Sequence, residues 1–388
     1  MSQRRINLSG TLPSQEIAGL IAKGEIARRN GVVSDNQIQP SSLDLTLTDE
    51  CYQLPGSVLP LRSERVSDVV AALARRRIDL SSPTLLDRNK VYLIRLNESL
   101  DLPSNVGAYC NNKSSTGRID LATRTVSDFT PRYDKIVEGY QGDLWLEVIP
   151  KSFDVILQAG VALNQAIFYA ERTILRTAEL ENFYSTPVED GEFMAGGRVG
   201  PLLYDKLGVG IPRSEVLIED GLLMTLYLEQ DVVGFVARKT YEPIDLSKVA
   251  AHDASEFFDP IHRPRQGRLW LERGRFYIFS TWEYVRVPPA FAVEMLPYDT
   301  SAGEFRAHYA GFFDPGFGYG LKGEEKGTPA VLEVRAYEDD LIIRHRQPIC
   351  RMAYEPLSDV PAKLYHASIG STYATQRGPR LSKFFRDA

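Results

Sequence analysis

Apolar residues in this chain recur at every second position or in short unbroken runs of four to eight residues, and the runs stop at Gly, Pro, Asn or Asp. SLDLTL, KVYLIRL, DLWLEV and NQAIFYA in the first half, and MTLYLEQ, RFYIFSTW, AVLEV and DLIIRH in the second, are of this kind. That periodicity predicts β-strands. Many short strands separated by turn residues predict a barrel or sandwich in each half. Two stretches carry a helical period instead. Ile17, Leu20 and Ile21 fall on one face behind Ser14, a candidate cap, with Gly24 near the end, and VVAALARRR reads as a second helix.

The strand pattern repeats. LDRNKVYLI (Leu86 to Ile94) and LERGRFYIF (Leu271 to Phe279) match at an offset of 185, with Pro103 and Pro288 following at the same distance. DLWLEV (Asp143 to Val148) returns as PAVLEV (Pro329 to Val334) at an offset of 186, and DLTL from Asp44 echoes TLYL from Thr225. Three echoes in one order at nearly one offset indicate a tandem duplication. The segment STPVEDGEFMAGGRVGP has loop composition and places the boundary near residues 190–205.

Composition narrows the function. At 388 residues, with 43% hydrophobic and 25% charged positions, the chain suits two globular domains. A net charge of −6 supplies no field for gripping a nucleic acid polymer, so phosphate binding would be local and the ligand small. No apolar run follows MSQRRINLSG and no window is long and apolar enough to span a membrane, so a cytoplasmic location is expected. Cys51, Cys110 and Cys350 are odd in number and far apart, which argues for core thiols over disulfides. The five histidines and three cysteines do not fall at zinc-ligand spacings, so no zinc is expected.

Against this background KSSTGR (Lys113 to Arg118) stands out. Small hydroxylated residues after a strand suggest a turn into a short helix with Ser114 and Ser115 at its start. There, unpaired backbone N–H groups attract anions, and Arg118 lies one helical turn from Ser114 on the same face. Serines in this position also serve simply as caps. Glu147 in LWLEV and Glu333 in VLEV are carboxylates inside apolar strands. Either points to solvent by the period of two or is buried as a proton-transfer group.

IQPSSLDLTL (Ile38 to Leu47), KSSTGR, GYQGDLWLEV (Gly139 to Val148) and the tail YATQRGPRLSKFF (Tyr373 to Phe385) together resemble the ordered motifs of the dCTP deaminase branch of the trimeric dUTPase family. The resemblance implies a mainly β fold class: two tandem dUTPase-like distorted jelly-roll β-barrels with a few short helices, one over residues 1–190 and a partly degenerate one over 191–388. It implies a homo-oligomer with nucleotide sites between barrels. It also implies hydrolytic deamination of dCTP to dUTP and ammonia without zinc, the Mg²⁺ arriving with the triphosphate.

Residue by residue, Glu147 resembles the general base and acid, Ser114 the group that positions water and Arg118 its electrostatic support. Lys113, where the family has arginine, Ser115 and Gln165 resemble substrate-binding positions. So do Ala310, in the hairpin HYAGFFDPGFGYG, and Tyr365, Tyr373 and Gln376 of the tail, although Thr372 replaces an expected lysine.

The repeat maps Ser114 to Asp299, Arg118 to Gly303, Asp44 to Thr225 and Gln165 to Arg351, so the second half lacks an anion cradle while keeping Glu333, the hairpin and the tail. A site could therefore use Glu147, or combine Ser114 and Arg118 of one half with Glu333 of the other. Two other functions fit the same motifs: a dUTP pyrophosphatase or bifunctional enzyme, and a nucleotide-binding regulator without chemistry.

Overall fold

The structure, a computed structural model, describes residues 5–29, 31–185, 201–297, 305–308, 311–337 and 339–386. It divides into two compact units that are not two continuous halves. One holds residues 1–172, 239–257 and 382–388, and the other 173–238 and 258–381. The single cut expected at residue 190 thus becomes an exchange of segments, because Lys239–Phe257 and the last seven residues belong to the first unit.

In the first unit the long strand Leu43–Leu54 lies at the centre of a ten-stranded sheet, with Ala162–Ala170 and Val106–Asn112 on one side and Val91–Asp101, Gln141–Pro150 and Leu121–Ser127 on the other. The strands alternate or run apolar because their inward residues, among them Leu43, Leu45, Ile94, Leu146 and Val148, are buried. The outer end is tied back by side chains: Asn112 Nδ2 donates to Leu121 O at 3.0 Å and Asn164 Nδ2 to Thr123 Oγ1 at 3.2 Å. These bonds bring Leu121–Ser127 to the opposite end of the strand order and nearly close the barrel.

The opposite face of the Gln141–Pro150 strand is covered by the helix Val66–Leu73, whose Val66 and Val70 pack with Leu54, Leu93, Val126 and Trp145. This helix lies earlier than VVAALARRR suggests, and its arginines enter a strand, Arg76–Asp79. The first helix is Ser14–Ala22, with Ile17 and Leu20 buried, but its cap residue is Pro13 and no side chain caps it. Proline before the first turn is already set in extended backbone, so Ser14 is free to be the first helical residue.

The second unit builds its core from the same strands, arranged as a six-stranded sheet, a four-stranded sheet and a two-stranded ribbon. The registers establish the repeat. Gln165 pairs with Asp44 as Arg351 pairs with Leu223, and Asn111 with Gln165 as Leu296 with Arg351. The echo of Asp44 in Thr225 is corrected by this ladder. Thr225 occupies the position of Thr46, an offset of 225 − 46 = 179, and Asp44 corresponds to Leu223. Further along, Cys51 opposite Ile94 corresponds to Gly234 opposite Phe279, an offset of 234 − 51 = 183. The four added residues break the long central strand into Leu222–Thr225 and Val232–Ala237. Gly234 is where a side chain could not fit, since a Cβ would stand 2.4 Å from Ile278 O.

Candidate active site

KSSTGR folds as its composition suggests. The strand Val106–Asn112 ends, Lys113 in extended backbone caps a one-turn helix Ser114–Gly117, and Arg118 N–H closes on Ser114 O at 3.1 Å. A single turn carries little macrodipole, so the pull on an anion must come mainly from side chains and free N–H groups. Arg118 is 3% exposed and Ser115 is buried. Lys113 Nζ forms an ion pair with Asp44, whose other oxygen, Oδ1, has no hydrogen-bond partner among the described residues. Gln165 lies beside Asp44 in the ladder and accepts from Ser42 Oγ at 3.2 Å. Lys113, Ser114, Ser115, Arg118 and Gln165 thus gather around the ends of three neighbouring strands.

The turn leads through Ile119 and Asp120 into the strand Leu121–Ser127, which delivers Arg124 to Glu147 on the next strand. Glu147 is 1% exposed, so its carboxylate is buried and not turned to solvent. Arg124 Nε donates to Oε1 at 2.9 Å and a terminal nitrogen to the same oxygen at 2.5 Å, while the Tyr133 hydroxyl donates to Oε2 at 3.2 Å. The Arg124 guanidinium lies over the Tyr133 ring, 4.0 Å from its centre, and also donates to Ser57 Oγ at 3.0 Å. Burial and the neighbouring Glu147 charge push the Tyr133 hydroxyl up to about 12. Asp134 is also pushed up, to about 7, chiefly by desolvation, even though its carboxylate accepts from Thr125 N–H at 2.7 Å. This frame of Arg124, Tyr133, Asp134 and Ser57 went unnoticed in the sequence. The alternation in LATRTVS, which points Arg124 to the same face as Val126, was the one available signal.

In the second unit Glu333 is also buried and sits on the strand Thr328–Ala336, opposite Ile278 and His308 in register. The tail residues gather near the start of that strand. Gln376 Nε2 donates to Pro329 O at 2.7 Å, Tyr373 N–H to the Tyr365 hydroxyl at 3.2 Å, and the Tyr284 hydroxyl to Arg377 O at 3.0 Å. Tyr365 packs at a tilt against Phe317, 5.5 Å between ring centres, in the hairpin that follows Gly311. Gly318 there has φ 61° and a Cβ would meet Val285 O at 2.2 Å, so only glycine permits the approach. Ala310, Asp299 and Gly303 lie outside the described residues. Cys51, Cys110 and Cys350 are buried thiols with raised pKa, and among the described residues no three His, Cys, Asp or Glu side chains are placed to share a metal ion.

Two family models match the chain in tandem: the 2'-deoxycytidine 5'-triphosphate deaminase N-terminal domain over residues 8–172 and the C-terminal domain of the same protein over 205–385. The crystal structure of 2'-deoxycytidine 5'-triphosphate deaminase from Agrobacterium tumefaciens superposes with a TM-score of 0.79 at 32% identity, covering 92% of this chain and all of that one. A curated protein of Methanosphaera stadtmanae, "dCTP deaminase, dUMP-forming", is 24% identical over 193 residues, which is 49% of this chain and 90% of the relative. The fold is a barrel built twice in one chain, and the first unit carries both the hydroxyl-guanidinium turn and the buried carboxylate Glu147. The chain belongs to the two-domain dCTP deaminase family.

Proposed function

We infer that this protein is an enzyme, a dCTP deaminase that releases ammonia from the cytosine ring of a deoxynucleoside triphosphate. The observation that carries the chemistry is Glu147, a buried carboxylate with one oxygen held by Arg124 and the other by Tyr133. Hydrolytic deamination adds water to C4, moves a proton to ring N3 and expels the amino group as ammonia, leaving a carbonyl. A carboxylate that takes the water proton and hands it on serves both transfers. A fixed guanidinium and hydroxyl lower the cost of the tetrahedral intermediate. We assign the carboxylate role to Glu147 ahead of Glu333, with Ser114 and Arg118 positioning and supporting the water. Oε1 already accepts two bonds from Arg124, whereas Oε2 accepts only that of Tyr133 and keeps a lone pair for the water, so Oε2 is the oxygen that takes the proton.

The remaining parts of the reading rest on the chain's own chemistry. In the first unit we assign Lys113, Ser115 and Gln165 to substrate binding; in the second unit the same role is proposed for Tyr365, Tyr373 and Gln376, and for Ala310, which lies outside the described residues. The Mg²⁺ travels with the triphosphate as substrate. The proton shuttle is proposed to run on the Glu147 carboxylate alone, whose Oε2 can take and return the proton. Among the described residues no helix is long and apolar enough to cross a membrane; action in the cytoplasm on a free nucleotide is part of the proposal. A homo-oligomer completes the proposal.

A second reading is bifunctional: the Methanosphaera stadtmanae relative is named as dUMP-forming. Incubating the purified chain with dCTP and Mg²⁺ separates the two. Ammonia with dUTP supports simple deamination and ammonia with dUMP and pyrophosphate supports the bifunctional enzyme. Binding of dCTP with no ammonia, at any protein concentration, overturns both.

A further inference from the structure

The last residues of the chain do not end as a loose tail. Ser382–Arg386 run beside Ala250–His252: Ala250 N–H donates to Lys383 O at 2.9 Å, Ala251 N–H to Phe384 O at 3.0 Å and Arg386 N–H to His252 O at 2.9 Å. Phe385 is 2% exposed and packs on Phe257 with ring centres 5.4 Å apart, and Phe257 packs edge-on against Phe153 at 5.4 Å. These contacts all fall within the first unit. They hold Ser382, fully buried, so that its hydroxyl donates to the carbonyl oxygen of Ser115 at 2.8 Å.

That carbonyl lies in the middle of the KSSTGR turn. In a longer helix it would receive the N–H of residue 119, but here Ile119 N–H turns to Thr116 O at 3.4 Å and the helix stops. The Ser382 hydroxyl supplies a donor that the short helix cannot offer, from a chain segment 267 residues away in sequence. Ser114 and Arg118 flank the peptide so held. A tilt of this peptide would move hydroxyl and guanidinium together.

We propose that Ser382 is a positioning residue for the deamination, fixing the orientation of the Ser114–Arg118 turn through its hydrogen bond to the Ser115 carbonyl. The inference rests on the reading that this turn serves the reaction. Small displacements of such groups cost rate more than binding, because their contribution is made in the transition state.

The test uses the full chain with dCTP and Mg²⁺. Ser382→Ala lowers kcat about tenfold with KM changed by less than about threefold, and Ser382→Thr, which keeps the hydroxyl, recovers kcat to within about threefold of the parent. In a Ser114→Ala background, Ser382→Ala adds only about threefold, because one of the two groups it aligns is gone and Arg118 remains. If Ser382→Ala does not fold, Ser382→Cys keeps the volume, weakens the donor and gives the same readout. Unchanged kcat in Ser382→Ala, equal losses in the Ala and Thr variants, or a full additional loss in the Ser114→Ala background overturns the inference while leaving the turn's role intact. A fully active Ser114→Ala enzyme instead overturns the reading of the turn itself, and the inference with it.

Discussion

The two units carry one ladder and two chemistries. In both, a buried glutamate accepts from the backbone and hydroxyl of a threonine on the central strand: Glu98 from Thr46 at 2.8 and 2.7 Å, and Glu283 from Thr225 at 2.6 and 2.7 Å. In both, a tyrosine hydroxyl accepts a backbone N–H at the preceding turn, Tyr92 from Asp87 and Tyr277 from Glu272. The row that crosses three strands beside the turn differs. Asp44, Gln165 and Asn111 in the first unit correspond to Leu223, Arg351 and Leu296 in the second, and Asn112 with Asn164 corresponds to Pro297 with Cys350. The skeleton of a duplicated barrel therefore survives through buried bonds that are expensive to break. The polar row, whose Asn112 and Asn164 help to close the first barrel, is replaced in the second unit by residues such as Pro297 and Cys350 that have no side-chain amide to make those bonds.

The largest effect that could break this contrast comes from the carboxylates. Glu147→Gln is expected to lower kcat by roughly 10³-fold or more and Glu333→Gln by less than about tenfold, measured as ammonia release on protein whose folding is checked by circular dichroism. The reverse order would move the catalyst to the second unit. Exchange across the polar row comes next. Gln165→Arg, which gives the first unit the residue of the second, should reduce kcat/KM by about 10²-fold, whereas Arg351→Gln should leave it within about twofold.

The shared skeleton predicts similarity in place of contrast. Thr46→Val and Thr225→Val each leave a buried carboxylate short of a donor and should each cost about 1–3 kcal/mol in denaturant unfolding. A cost confined to one variant would break the equivalence of the two brackets. The smallest effect is a pH dependence. Asp134, raised to about 7 in the folded chain, contributes stability that is fully present below the ordinary carboxylate range and is lost as pH rises through about 7. Asp134→Asn keeps the acceptor for Thr125 N–H, so its Tm should fall less than the parent's between pH 5 and pH 8. An unchanged slope would show that Asp134 does not titrate in that window.

Alternation of apolar residues sufficed to determine the principal strands and the duplication, because a half-buried strand must repeat every two residues whatever its neighbours are; short strands such as Arg76–Asp79 and Lys135–Ile136 carry no such signal. The turn at KSSTGR was legible too, since small hydroxylated residues before glycine and arginine settle local geometry within a few residues. Other features depended on which strands lie side by side. The two-residue shift from Asp44 to Thr46 as the partner of Thr225 is invisible to a pattern whose period is itself two. Arg124 and Tyr133 meet Glu147 only once three separated segments pair, and Ser382 reaches Ser115 only once the end of the chain has folded back onto the first unit. Local composition determines what a segment can be. Long-range pairing decides what its side chains touch, and in this protein the candidate chemistry resides in those touches.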